Sequence, residues 1–92
     1  MTKVTVIIPV YNSSRYMSEA INSVLTQTYK DFEIIVVDDG STDNSKEIVG
    51  QFIEKYPEEI RYIYQKNKGI AGARNTGIRN ANGEFMALLD AD

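Results

Sequence analysis

The sequence has no cysteine and no histidine. Without cysteine there is no disulfide framework, no thiolate metal site and no cysteine nucleophile. Without histidine the commonest general base and transition-metal ligand are missing, so any catalysis has to be carboxylate, metal or hydroxyl chemistry. Basic residues are in slight deficit, 10 Lys+Arg against 13 Asp+Glu, leaving no charge excess to draw the chain to nucleic acid. Nowhere does the sequence reach the ~20 consecutive apolar residues of a membrane helix. Met1-Thr2-Lys3 leads straight into an apolar run, without a signal-peptide pattern. The expectation is a cytoplasmic domain, with peripheral attachment at the inner membrane face left open. At 92 residues the chain is expected to form a single domain with one modest core, because a chain this size buries only about 60–65% of its unfolded surface.

What is present is a regular alternation of buried strands and amphipathic helices. Val4 to Pro9 is a short β-branched run of the kind buried on both faces of a parallel sheet, and Pro9 is expected to end it. Asn12-Ser13-Ser14 offers capping side chains, and Met17, Ala20, Ile21, Val24 and Leu25 then fall on one helical face. Phe32 to Val37 reads as a second buried strand. The polar loop from Asp38 to Asn44 supplies Ser41, Thr42 or Asp43 as a cap. Ile48, Val49, Phe52, Ile53 and Tyr56 mark a second helix, stopped by Pro57. Ile60 to Tyr64 is a third strand, and Arg61 and Tyr62 suggest that it lies at an edge. Gly69 to Ala81 reads as a third helix with a small-residue face, Ala73, Gly77 and Ala81. Asn82-Gly83 forms a turn, and Glu84 to Leu89 is a fourth strand.

The order β-α-β-α-β-α-β implies an α/β fold, three layers deep, around a mostly parallel sheet with right-handed crossovers. In such sheets ligands bind beyond the carboxyl ends of the strands, near the switch in strand order. Two of those ends carry paired acids, Asp38-Asp39 and Asp90-Ala91-Asp92. Residues i and i+2 of an extended segment share a side, so Asp90 and Asp92 could face one hard cation together, or one could take the metal and the other a sugar hydroxyl. Lys68 and Arg74 flank the start of the third helix, where an anion is favoured. Arg61, Arg79, Lys46, Lys55 and Lys66 suggest only solubility.

Four blocks in order resemble family 2 glycosyltransferases of the GT-A (nucleotide-diphospho-sugar transferase, Rossmann-like) fold. They are Val6–Asn12, Ser23–Tyr29 with Glu33–Asp43, Asn67–Gly77, and the Asp90-Ala91-Asp92 signature. The resemblance implies transfer of a sugar from a nucleoside-diphosphate-sugar, most often a UDP-sugar, to a saccharide or lipid-linked acceptor, with inversion and with Mg2+ or Mn2+. It implies nucleotide binding by Pro9, Tyr11, Asp39, Lys68, Arg74 and Asp90. Tyr11 would stack on the base and Asp39 would accept from uracil N3–H, for which an acceptor-only carboxylate is apt. Asp38 would order its loop. Asp92, with Asp90, would hold the metal (the DXD motif), and a further acidic ligand common in relatives would fall past residue 92. The catalytic base is likewise expected past residue 92. The chain is thus expected to be the donor-binding half of such an enzyme, truncated after the fourth strand, inactive alone, without the acceptor half and prone to self-association. Polysaccharide assembly at the cell envelope is the role suggested by analogy.

Three other readings compete. A dinucleotide-binding oxidoreductase would need a glycine-rich turn where Pro9-Val10-Tyr11-Asn12 stands. A phosphoacceptor receiver domain would need a separate phosphorylatable Asp and a strand-end lysine. A nucleotide-sugar-binding module without turnover fits the same residues as the enzyme does.

Overall fold

The computed structural model describes residues 3–27 and 30–89. Four strands, β1 (Val4–Val10), β2 (Phe32–Asp38), β3 (Ile60–Tyr64) and β4 (Phe85–Leu88), alternate with helices α1 (Ser14–Leu25), α2 (Ser45–Lys55) and α3 (Gly69–Asn80). All pairings are parallel, in the order β3-β2-β1-β4. The chain therefore steps outward from β1 to β3 and returns to β1's other side with β4. The switch in strand order falls between β1 and β4, and β3 is an edge strand as Arg61 and Tyr62 suggested.

The two faces of the sheet follow from strand parity. Val6, Ile8, Val10, Ile34 and Val36 pack against Met17, Ala20, Ile21 and Val24 of α1 and Val49 of α2. Ile7, Ile35 and Val37 face the other way, onto Ala73 of α3. Three layers result. The small face of α3 has a direct cause: a methyl placed on Gly77 would lie 2.5 Å from Ile7 Cγ2, so only glycine lets this helix sit so near β1.

The element ends differ slightly from expectation. Pro9 does not end β1, which runs on to Val10. Ile7 accepts from the Leu89 amide and Val10 from the Asp39 amide, so Pro9, two residues beyond Ile7, turns its amide-less nitrogen to the β4 side. Among the described residues β4 pairs with β1 from Val4↔Phe85 to Ile7↔Leu88, and the missing donor leaves the β1–β2 ladder intact. Asn44 rather than Ser41, Thr42 or Asp43 is the N-cap of α2, and neither it nor Ser13 at α1 makes a side-chain cap bond. α3 ends one residue early, at Asn80, and β4 begins at Phe85.

Arg61 and Arg79 do more than keep the chain soluble. Glu33, only 6% exposed, accepts from Thr5 Oγ1 (2.6 Å) and from the Asn82 amide (2.7 Å). Its other oxygen meets Arg61 Nη2 at 3.3 Å, and the same nitrogen donates to the Asn80 carbonyl. Thr5 Oγ1 in turn accepts from the Gly83 amide at 2.9 Å. Thr5 and Glu33 are cross-strand partners, so this knot ties the α3–β4 turn to the amino end of the sheet. Burial would raise the Glu33 carboxyl, but Thr5, the Asn82 amide and the Arg61 charge outweigh it and hold it below the ordinary value of 4.5. Arg79 Nη2 reaches Thr76 Oγ1 at 3.4 Å.

Two predictions follow from this packing. A carboxylate depressed in the folded state stabilises above its unfolded pKa and loses that contribution as pH falls through the folded value. Glu33→Ala is expected to cost about 2–4 kcal/mol at neutral pH, and Glu33→Gln to flatten the loss of stability below pH 4.5, both read by urea unfolding across pH. Phe85, Met86 and Leu88 of β4 are 59%, 51% and 44% exposed on a strand whose outer edge is unpaired. Such an edge invites pairing. Sedimentation velocity is expected to show concentration-dependent association that Met86→Lys suppresses.

Candidate functional site

The carboxyl ends of β1 and β2 and the start of α3 meet at one rim of the sheet. Two loops there lock each other. Asn12, held at φ +49, accepts through Oδ1 from the Thr42 amide (2.8 Å) and the Asp43 amide (3.3 Å). Its own amide donates to Ser41 Oγ at 2.8 Å. Asp43 answers by accepting from the Ser14 amide, which starts α1, and from the Ser45 amide and hydroxyl, which start α2. Burial would raise the Asp43 carboxyl, but the Ser45 and Ser14 donors hold it below its ordinary value. Asp43 thus serves the start of α2 from its own leading segment and the start of α1 from the neighbouring loop.

The adjacent acids Asp38 and Asp39 divide between the two faces. Asp38 accepts from the Ser41 amide (2.8 Å) and from the Tyr62 hydroxyl (2.6 Å). Burial and then this carboxylate push the Tyr62 phenol well above its usual range, so it stays a donor. Asp38 is buried with both oxygens engaged, and orders its loop as the sequence suggested.

Asp39 faces α3. Its Oδ1 accepts from the Lys68 amide (2.7 Å) and Gln65 Nε2 (3.0 Å), and its Oδ2 from the Gly69 amide (2.8 Å). Gly69 at φ +83 lets the first turn present that amide. The anion favoured at the N-terminus of α3 is therefore Asp39 itself, and the phosphate contact expected there meets amides already in use. A carboxylate offers about four acceptor positions, and three protein donors leave room for one from a ligand.

Asp39 also lines a cleft of about 120 Å3 with Pro9, Val10, Tyr11, Ser13, Ile70 and Ala73. Tyr11 is half-exposed and forms one wall. Of the residues picked out from sequence, Pro9, Tyr11 and Asp39 come together here. Lys68 takes part through its backbone, and its side-chain stem lies against Gly72. Arg74 is half-buried on α3. Asp90 and Asp92 lie outside the described residues. Sequence reasoning singled out none of Ile70, Gln65 and Thr76; Ile70 and Thr76 fall within the Asn67–Gly77 block without a role of their own, and Gln65 lies just before it.

The profile of Glycosyl transferase family 2 matches residues 5–92. The chain belongs to glycosyltransferase family 2. Among curated relatives, an uncharacterized glycosyltransferase of Nostoc sp. is 54% identical over 98% of this chain and 28% of its own length. Glycosyltransferase GlyA of Streptococcus pneumoniae is 49% identical over 98% of this chain and 13% of its own. The chain thus spans well under a third of the length of these relatives. Among solved structures, the mannosyltransferase PcManGT of Pyrobaculum calidifontis, in complex with GDP-Man and Mn2+, superposes with a TM-score of 0.89 at 34% identity, covering 98% of this chain and 27% of that one. S. aureus TarS in complex with UDP-GlcNAc gives 0.80 at 35% identity, covering 99% and 27%. The α/β architecture of this family 2 chain is that of the GT-A glycosyltransferases. Among its described residues no helix is long and apolar enough to cross a membrane.

The loop lock makes a local prediction. Asn12→Ala removes the bonds to Thr42 and Asp43 and puts a less suitable residue at positive φ. It is expected to cost about 1–3 kcal/mol and to speed hydrogen exchange at the Thr42 amide. Asn12→Gly, which keeps the backbone freedom, should recover part of the stability and none of the protection.

Proposed function

We propose that this chain is the donor-binding part of an enzyme that transfers a sugar from a UDP-sugar to an acceptor hydroxyl. One observation carries the reading: an aromatic face, Tyr11, and a buried acceptor-only carboxylate, Asp39, line the same cleft. Uracil presents a flat ring for the first and its N3–H for the second. Family membership and the UDP-GlcNAc complex of TarS, 35% identical, support it. The GDP-Man complex of PcManGT, 34% identical, marks the rival base within the same fold.

Transfer leaves a diphosphate on which charge develops. A divalent ion would supply Lewis-acid neutralisation of that charge. The donor chemistry of the described residues bears on where it could sit. Asp38 and Asp39 have their oxygens turned to N–H and O–H donors, and no group of three or more candidate ligands occurs among the described residues. Asp90 and Asp92, which follow β4 in sequence, are hard oxygen ligands of the kind Mg2+ or Mn2+ takes, and we assign them that role. Arg74, half-buried on α3, is assigned to phosphate or to Asp90.

In the inverting course we assign, an acceptor hydroxyl attacks the anomeric carbon while a carboxylate takes its proton. Asp38 and Asp39 are unsuited to that task, being buried and multiply hydrogen-bonded. In this reading the residues around the cleft supply donor recognition, and the base is another residue of the enzyme. A binding module without turnover would use the same cleft and differ only in lacking that base.

Amide-shift titration of this chain with UDP, with and without Mg2+ and with GDP as control, tests the reading. Saturable shifts at Tyr11, Asp39 and Ile70 with UDP and weaker ones with GDP are expected. Asp39→Asn should weaken UDP binding by about tenfold, the loss of one hydrogen bond to a charged group. Equal responses to both nucleotides would overturn the base assignment.

A further inference from the structure

We propose that Gln65 and Thr76 are positioning residues for Asp39, forming a one-way chain of hydrogen bonds that keeps this carboxylate an oriented acceptor at the cleft. The ligand in this proposal rests on the donor reading above, while the chain of bonds stands on geometry alone.

Thr76, 7% exposed on the inner side of α3, has one hydroxyl proton. Two acceptors lie near it: the Gly72 carbonyl one turn back at 3.0 Å, and Gln65 Oε1 at 2.6 Å. The helical back-bond is the usual choice for a mid-helix threonine, yet the shorter contact is to Gln65. Arg79 Nη2 points at the same oxygen from the other side at 3.4 Å, and a cationic donor there polarises the hydroxyl toward its own acceptor. Gln65 is fixed at its backbone, where its amide donates to the Asp38 carbonyl at 2.9 Å.

A side-chain amide has one acceptor end and one donor end. With Oε1 taken by Thr76, Nε2 must face Asp39 Oδ1, and it does so at 3.0 Å. The flipped amide would set its oxygen against a carboxylate. Arg79, Thr76, Gln65 and Asp39 therefore donate in a single direction, ending on the acid. The Lys68 and Gly69 amides fix the carboxylate from the α3 side, and Gln65 fixes it from the β3 side. Oδ2, with the single Gly69 donor, keeps the acceptor capacity that a ligand N–H requires. No part of this depends on Gln65 or Thr76 touching the ligand; neither lines the cleft.

The test uses the 92-residue chain with Thr76→Val, Thr76→Ser and Gln65→Leu, measured by NMR and by urea unfolding. Thr76→Val is expected to move the Gln65 side-chain NH2 signals and the Lys68 and Gly69 amide signals, and Thr76→Ser to restore them. Kd for UDP should rise about three- to tenfold in Thr76→Val and Gln65→Leu, the range for one lost hydrogen bond, and return toward wild type in Thr76→Ser. A purely structural role would lower the unfolding midpoint and leave Kd of the folded chain unchanged; that result in both variants overturns the proposal. If the wild-type chain ignores UDP, the donor reading fails. The Thr76→Val spectrum then still decides the relay: moved Gln65, Lys68 and Gly69 signals uphold it, and unmoved ones overturn it.

Discussion

Helix α3 is held to the sheet by two carboxylates of one strand region, and the rest of the molecule depends on that hold. Glu33 near the start of β2 takes the turn that leaves α3, and Asp39 just past the end of β2 takes the amides that begin it. The signs differ at the two ends. A negative charge at a helix N-terminus is favourable, so Asp39 needs no help. A negative charge at the C-terminus is not, and there Arg61 stands between them, donating both to Glu33 and to the Asn80 carbonyl. Between the two ends Gly77 lets the helix rest on Ile7. The distance along β2 thus sets where the helix begins, and with it where Ile70 and Ala73 stand in the cleft.

Much of this was legible in the sequence because period and composition agreed. Strand and helix alternation gave four strands and three helices in the order observed, and the charged, tyrosine-bearing β3 showed its edge position. That Tyr11 and Asp39 share a rim was legible because each follows an apolar run that reads as a buried strand, and parallel order puts such ends together. Less legible was what each polar side chain bonds. Glu33 sits inside a run that reads as uniformly apolar, and its partners are 28 and 49 residues away. Local pattern cannot show such a pairing. Arg61 was misjudged for the same reason, since its role appears only once β3 lies beside β2. Asp43, one of the caps the sequence offered for α2, does accept from the Ser45 amide two residues on, whereas its bond to the Ser14 amide at the start of α1 crosses two loops and had no local signal.

Pro9 shows how a local rule can fail while its physics holds. Proline lacks a donor, and the rule that it closes a strand assumes that both neighbours are present. In β1 the donor is missing on the β4 side, so the ladder to β2 runs on unbroken to Val10↔Asp38. Pro9 also lines the cleft with Tyr11, next to the switch in strand order. A single residue serves the topology and the site together.

Asp39 carries the sharpest consequence of this economy. The same carboxylate caps α3 and, in the reading we favour, meets the ligand. A group with both duties cannot be exchanged for a neutral one without disturbing the helix start, because an amide would turn a donor toward at least one of the three donors now facing it. Charge at this position is required by the fold before any ligand arrives. What the ligand adds is one further donor to an acceptor already desolvated and fixed on two sides, so little reorganisation remains at the moment of binding. In that reading the base would be read by a group that the protein has to hold rigid for its own stability.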